Sequence, residues 1–480
     1  MAGKLIRKDE NRIEVPIGYK GGMLVPGVIF LNEQLGEFLE PQAIAQVANV
    51  STLPGIVGAS LAMPDIHTGY GFAIGGVAAF DINEGIISPG GVGYDINCGV
   101  RLLRSNLTRQ EVLPRINDLV SAIYNSVPSG VGSKGKIRLS PDEQKKIIVK
   151  GALWALGRGY GSASDLEKTE SDGVLEGADS SVISEKALER GRNQQGTLGS
   201  GNHFIEIQYV SKIFNERAAQ VFGLFEGQVT VMIHTGSRGL GHQVCTDFLP
   251  LMEKASKKYG IELHDRELAC APFYSQEAQD YFAAMKGAAN YAWANRQCIM
   301  HLVSESFITA MRGSPSSAGL SLIYDVAHNI AKVETHRVGN RDIKLVVHRK
   351  GATRAFPAGH PELPDIYKAV GQPVLIPGDM GRSSFVLIGT PQAMTETYGS
   401  TCHGAGRLLS RHGAIRAAKG RQIRQELLEA GVTATSAGRG TLAEEMPEAY
   451  KDIANVVSVV DSAQISKKVA MLKPIGVIKG

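Results

Sequence analysis

Four histidines of this chain stand at the ends of short strand-like apolar runs, and that placement most narrows what it can fold into. His203 opens the run 204–210, His234 closes 229–233, His328 follows 322–326 and His348 closes 343–347. In sheet proteins, side chains from distant segments converge at strand ends, and ligands gather in the crevices there. A lone histidine on an apolar run is usually a satisfied core residue. Four of them, most with Gly, Asn or Arg close by, point to a shared crevice. No HExxH or CxxC spacing accompanies them, so spacing alone leaves a metal site and a set of core histidines both open.

Further apolar runs bounded by glycine, at 72–80, 100–103 and 385–388, read as buried strands. Met63-Pro-Asp-Ile-His-Thr-Gly-Tyr-Gly71 and Gly93-Tyr-Asp-Ile-Asn-Cys-Gly99 fall in the loops around the first two. Thr108 and Glu111 have capping-box spacing, and Val112, Leu113, Ile116, Leu119, Val120 and Ile123 form one helical stripe. A long helical segment rich in Ala, Met and Phe spans 275–311, and after residue 406 the chain turns helical and basic. Strands and helices mixed in this way predict an α/β (α+β) protein. Although 480 residues suit about three domains, no repeat or linker divides the chain, and 1–480 reads as one large domain. The stretch 157–201, weak in pattern, reads as an inserted surface excursion, either a cover or a solvated loop.

The chemistry is densest at Thr401-Cys-His-Gly-Ala-Gly-Arg407. Gly and Ala leave the backbone bare for the close approach of a phosphate, and His403 beside them can serve as base, ligand or nucleophile. Asp95 and Cys98 share a glycine-flanked turn, so a carboxylate and a thiol can face one point; the bland alternative is a buried structural cysteine. A thiolate there could bridge two divalent ions, together with Asp95 and the imidazoles. Arg238, Arg349, Lys350, Arg354, Arg407 and Arg411 lie in or just after glycine- or histidine-bearing loops, which suits phosphate clamping, although surface charges are most often merely solvated. Net charge is slight (51 basic, 47 acidic, +4), so nucleic-acid binding calls for a local basic surface. Five cysteines form no paired framework, the N-terminus has no signal-peptide core and no apolar run reaches membrane-span length; a cytoplasmic protein is expected.

Asp65 and His67, Gly93–Gly99, Gly199-Ser-Gly-Asn-His-Phe204, His234-Thr-Gly-Ser-Arg-Gly-Leu-Gly-His242, Tyr324-Asp-Val-Ala-His-Asn329, His348-Arg-Lys-Gly-Ala-Thr-Arg-Ala-Phe356 and Ser400–Arg407 together resemble the RtcB family. Its members are GTP- and manganese-dependent RNA ligases that join a 3′-phosphate or 2′,3′-cyclic phosphate to a 5′-hydroxyl, in tRNA splicing or RNA repair. The resemblance runs from about Val15 to Lys479-Gly480 and implies a single family fold with mixed sheets around a deep metal-containing cleft. It implies two Mn²⁺ ions, one held by Asp95, Cys98 and His203, the other by Cys98, His234 and His328. His403 would be the nucleophile that takes up GMP, with Asp65 as its orienter.

The nucleotide pocket implied by the resemblance comprises Asn202, His203, Phe204, Ile205, Glu206, His328, Asn329, Pro377, Gly378, Asp379, Met380, Ser384, His403, Gly404, Ala405, Gly406, Tyr450 and Lys479. Glu206 as acceptor and Lys479 as donor suit the edge of guanine, with Tyr450 against the ring. At Asp379 the chain departs from the Ser or Thr expected of the family. A carboxylate repels phosphate, so Asp379 meets a sugar hydroxyl or a metal, or the contact is lost. Arg238, Arg349 and Arg411, with Arg190 after them, are the expected RNA contacts, and archease is an expected partner. Two other readings use the same residues: a binuclear metal phosphoesterase with a water nucleophile, and a non-catalytic RNA-binding scaffold.

Overall fold

The computed structural model describes residues 4–438 and 440–480. Two large sheets carry the architecture. The first runs, edge to edge, through Ile6–Asp9, Arg12–Val15, Gly27–Phe30, Ile56–His67, Ile74–Asp81, Arg341–Lys350 and Asn329–Val338. The second runs through Ser321–Ala327, Gly99–Thr108, Gln228–Thr235, Phe204–Ile213, Ser466–Lys479, Ser384–Gly389 and Pro373–Ile376, with Thr433–Ser436 paired in parallel to Ser466–Lys479. Most neighbours are antiparallel, and the fold is α/β in the mixed sense expected.

Between Ser275 and Arg312 lies the helix Gln276–Met311, 36 residues and so about 54 Å long at 1.5 Å per residue. Ser275 caps it by accepting from the Ala278 N–H, and Arg312 ends it in the left-handed conformation. Its middle is buried on every side, because Ala and Gly at 284, 287–289, 292 and 294 let neighbouring elements approach from all directions. This helix underlies the end of the second sheet where the histidines lie.

Several elements differ from expectation. Asp65 and His67 are not in a loop: they close the 12-residue strand Ile56–His67. The stripe after Thr108 is broken at Pro114 into Arg109–Val112, a single tight turn and Ile116–Ser126, because proline has no N–H to continue the first helix. The stretch 157–201 is only partly solvated. It holds the short helices Ala163–Glu167 and Glu185–Gly191 and buries Thr169, Glu170, Ile183, Ala187 and Leu198. Glu170 anchors it, accepting from Lys332 Nζ at 2.5 Å and from the Ala327 N–H at 2.9 Å. Arg158, Glu167, Lys186, Glu189 and Arg190 stay exposed. No helix among the described residues is long and apolar enough to cross a membrane.

Candidate active site

Strand register brings the candidate metal-ligating side chains together. Four neighbouring strands of the second sheet pair so that Ala327 faces Gly99, Val100 faces His234 and His234 faces Phe204. Cys98, His203 and His328 each sit one residue beyond a strand end, so all three fall level with His234 at one edge of the sheet. Cys98 Sγ lies 3.3 Å from His234 Nε2 and 3.5 Å from His203 Nε2, and the Nε2 atoms of His234 and His328 are 3.2 Å apart. Asp95 Oδ2 is 2.8 Å from His203 Nε2. Two donor sets result, Cys98–His234–His328 and Asp95–Cys98–His203, sharing the one sulfur.

Both sets fit divalent cations. Tetrahedral ligands about 2.1–2.3 Å from an ion lie roughly 3.4–3.8 Å apart, close to most of these separations. Burial drives the imidazoles of His234 and His328 well below their usual pKa, which keeps them neutral and able to ligate. The Nε2 atoms of this neutral pair face each other across 3.2 Å, and a cation between them would take both lone pairs. Burial and the charge of Asp95 hold the Cys98 thiol well above its usual range, and only a neighbouring cation would make it the bridging thiolate. Asp95 itself falls to about 2: burial raises it, but the hydrogen bond and charge of His203 and the charge of Arg238 outweigh burial.

One buried guanidinium locks the ligand-bearing segments together. Arg296, from the long helix, donates to Asn97 O at 2.8 Å and Asn97 Oδ1 at 2.9 Å, beside Cys98. It donates to Thr235 O at 2.9 Å, beside His234, and to both carboxylate oxygens of Asp325 at 2.8 Å, three residues before His328. A Cβ at Gly99 would come within 2.9 Å of this guanidinium, which is why the residue after Cys98 has no side chain.

His403 arrives from a separate two-stranded ladder. It follows the short strand Ser400–Cys402, which pairs with Ala352–Arg354, and its ring centroid lies 4.9 Å from that of His328. Asp65, fully buried, receives its Nδ1 at 2.6 Å on Oδ2, and the same oxygen accepts the N–H groups of His403 and Gly404 at 3.0 and 3.2 Å. Burial raises the Asp65 carboxyl, but these contacts and the charge of His403 hold it below its usual value. With Nδ1 fixed, Nε2 is the ring atom free to react. Gly406, at φ +71°, could carry no Cβ, which would meet Asp65 O at 2.2 Å.

Between the sheets opens a cavity of about 290 Å³, lined by the Cys98 cluster at one end and by Glu206, Asp379, Glu445, Tyr450 and Lys479 at the other. Asn202, Phe204, Asn329, Pro377, Gly378, Met380 and Gly404 to Gly406 complete the wall. Burial lifts Glu206 to about 8 despite the charge of Lys479 and a hydrogen bond from Gln208. Asp379 is turned away from phosphate chemistry: its Oδ1 accepts the N–H groups of Gly381 and Arg382 at 3.0 Å, and its Oδ2 takes Arg382 Nε at 2.5 Å. Tyr450 donates to Glu445 and lies under the Arg407 guanidinium. Three expected pocket residues do not line the cavity: His203, which is turned to Asp95 and Cys98, and Ile205 and Ser384. Ile205 alternates to the opposite face of its strand, into the core with Ile207 and Ile233. Ser384 is buried, its hydroxyl accepting from Gln208 Nε2 and the Gly378 N–H.

Residues 46–480 match the family model described as tRNA-splicing ligase RtcB. The chain belongs to the RtcB family. It is 57% identical to the tRNA-splicing ligase RtcB of Archaeoglobus fulgidus over 480 residues, the whole of both chains. It is 55% identical to that of Thermococcus kodakarensis over 99% of each chain, and 53% identical to that of Methanococcus maripaludis over 98% of each.

In this RtcB-family chain the arginines separate sharply. Arg411 is exposed at the mouth of the cavity, and Arg238 is half-buried against Gly199, with Nε 3.3 Å from Thr197 Oγ1. Arg190 is exposed and donates to Gln243 at 2.8 Å. Arg349 corrects the expectation. It is fully buried, forked onto Glu334 at 2.5 and 2.8 Å and bonded to Ser400 Oγ and Tyr398 O, which holds it inside the protein, out of reach of RNA. His348 is likewise a core histidine, accepting the Ser88 N–H and packed between Phe72 and Phe80. Glu445 and Arg296 escaped notice in the sequence: one sits in an acidic stretch that reads as surface, the other inside an apolar helix.

Proposed function

We propose that this chain is an RNA ligase that joins a 3′-phosphate or 2′,3′-cyclic phosphate end to a 5′-hydroxyl, using GTP and Mn²⁺ and carrying GMP on His403. The observation that supports it best is the Asp65–His403 pair, 2.6 Å from Nδ1 to carboxylate, beside the ring of His328. A phosphoesterase with a water nucleophile would need no nucleotide, so dependence on GTP separates it from the ligase.

His403 Nε2 forms a bond to the α-phosphorus of GTP, and the bond from that phosphorus to the departing pyrophosphate breaks. Asp65 holds the proton-bearing Nδ1 and offsets the positive charge that develops on the ring. The side-chain-poor backbone of Gly404 to Gly406 lets the phosphate reach Nε2. GMP then passes to the RNA 3′-phosphate, and the 5′-hydroxyl of the second strand displaces it. Divalent cations held by Asp95, Cys98, His203, His234 and His328 supply charge neutralisation at phosphate oxygens. Glu206 and Lys479 read the guanine edge while Tyr450 lies along the ring. Arg238 and Arg411 contact the RNA backbone. The same reading places the protein in the cytoplasm, acting on split tRNA or broken RNA, with archease as its activator.

The test is ligation itself. An RNA with a 3′-phosphate and one with a 5′-hydroxyl should be joined with Mn²⁺ and GTP present, and not when GTP is withheld. Release of inorganic phosphate from the 3′ end without GTP, and no joined product with it, would favour the phosphoesterase.

A further inference from the structure

Beside the metal cluster lies a row of rings and cations that the ligation chemistry leaves unused. Tyr94 immediately precedes Asp95, and its ring lies over His242, with centroids 4.9 Å apart and planes tilted by 31°. Tyr70 meets Tyr94 edge-on, with centroids 5.5 Å apart. The row ends in a cation on each side. Lys350 Nζ lies 5.9 Å from the Tyr70 ring, and Arg190 Nη1 lies 3.5 Å from His242 Nδ1.

Packing alone does not account for this row. Tyr70 and Tyr94 are half-buried, His242 and Arg190 exposed, and neither phenol hydroxyl hydrogen-bonds to another described residue. Among the fully buried tyrosines, Tyr291 donates to Gly191 O and Tyr367 to Ile323 O, whereas Tyr281 finds no partner. His242 is the fifth residue of the helix Arg238–Lys258, whose opening residue Arg238 lies against the Gly199 loop. The half-exposed π surface has exposed Arg190 at one end and buried Lys350 at the other, with the Glu267 carboxylate also near both phenols, and it is joined through one peptide bond to a candidate ligand of the metal cluster.

We propose that Tyr94 and His242, with Tyr70 at their edge, form a stacking platform for an unpaired base at an RNA end. Arg190 takes the adjacent phosphate. The platform rests on the reading of this chain as an RNA ligase, since it needs a strand whose end lies at the Cys98 cluster. Aromatic faces stack any base, so such a platform holds a single-stranded end without selecting its sequence. An end presented for joining must be unpaired to enter the cavity, and a ligase acting on varied ends gains from a grip blind to sequence.

The experiment measures equilibrium binding of short single-stranded RNAs to the full, Mn²⁺-loaded chain. One RNA carries a 3′-phosphate and another a 5′-hydroxyl, each with 2-aminopurine, whose fluorescence reports stacking, as the terminal base. Matched RNAs are abasic at that position. Tyr94→Ala and His242→Ala should each weaken binding of at least one base-bearing end by about tenfold, with loss of the stacking signal. Tyr94→Phe should keep both. The abasic RNAs should bind the wild type as weakly as base-bearing RNA binds Tyr94→Ala, and Tyr94→Ala should weaken them no further. Binding of both base-bearing ends to Tyr94→Ala within twofold of wild type would overturn the platform, as would equal weakening on abasic ends. Uptake of GMP from GTP is read in parallel on the wild type. Its absence counts against the ligase, whereas the binding series alone decides the platform.

Discussion

Glu206 carries the sharpest consequence at the scale of single residues. Its carboxyl, lifted to about 8 by burial, is protonated in the free chain at pH 7. An unfolded glutamate titrates near 4.3, so between about pH 4.3 and 8 the native state holds a proton that the unfolded chain does not. Glu206 therefore lowers stability as pH rises through that window. A guanine edge donating to the carboxylate must drive the proton off. GTP binding at pH 7 should release close to one proton, read by calorimetry in buffers of different ionisation enthalpy, and Glu206→Gln should release none. Equal release from both chains would remove Glu206 from base recognition. The sequence exposed the chemical identity of such residues but not their surroundings. His348 and His328 both sit beside strand ends, yet one is wrapped by Phe72 and Phe80 and the other opens on the cavity. Arg349 followed a histidine as a phosphate clamp would, but its partner Glu334 arrives from the neighbouring strand and no local pattern announces it.

At the scale of elements, the long helix acts on the site through Arg296. Replacing it with Met removes five hydrogen bonds that tie Asn97, Thr235 and Asp325 into one frame. It also leaves Asp325 buried with only Arg101 as a charged partner. Breaking a buried pair of this kind costs about 3–5 kcal/mol. Arg296→Met should lose about that much in denaturant unfolding and give up bound Mn²⁺ to a weaker chelator than the wild type does. Stability within about 1 kcal/mol together with unchanged metal retention would contradict the clamp. The elements themselves were largely legible, since Phe204–Ile213, Gln228–Thr235, Ser321–Ala327 and Gln276–Met311 each contain or nearly coincide with the run that announced them. Ile56–His67 was missed: Gly58 and Pro64 interrupt it, and only its register against Ile74–Asp81, shifted twice, makes it a strand. The packing within 157–201 was not legible, because Glu170 finds its partners, Lys332 and the Ala327 N–H, on distant strands where composition alone suggests solvent.

At the scale of the whole molecule, the site exists because two sheets meet. One supplies the level row of Cys98, His203, His234 and His328, and the other supplies Asp65; His403 hangs on the short ladder between Ser400–Cys402 and Ala352–Arg354. The last strand, Ser466–Lys479, lies inside the second sheet beside Phe204–Ile213 and so carries Lys479 into the cavity. Sequence motifs identified these pieces, but their meeting is a property of topology. It implies that the two halves of the chemistry, metal binding and nucleotide transfer, separate cleanly by mutation. The decisive measurement incubates the purified chain with Mn²⁺ and GTP labelled at the α-phosphate. The account predicts one label per chain, lost in acid and stable in alkali as a phosphoramidate is, and absent from His403→Ala while that variant still binds its metal. Label on His403→Ala, or an acid-stable label on the wild type, would contradict it.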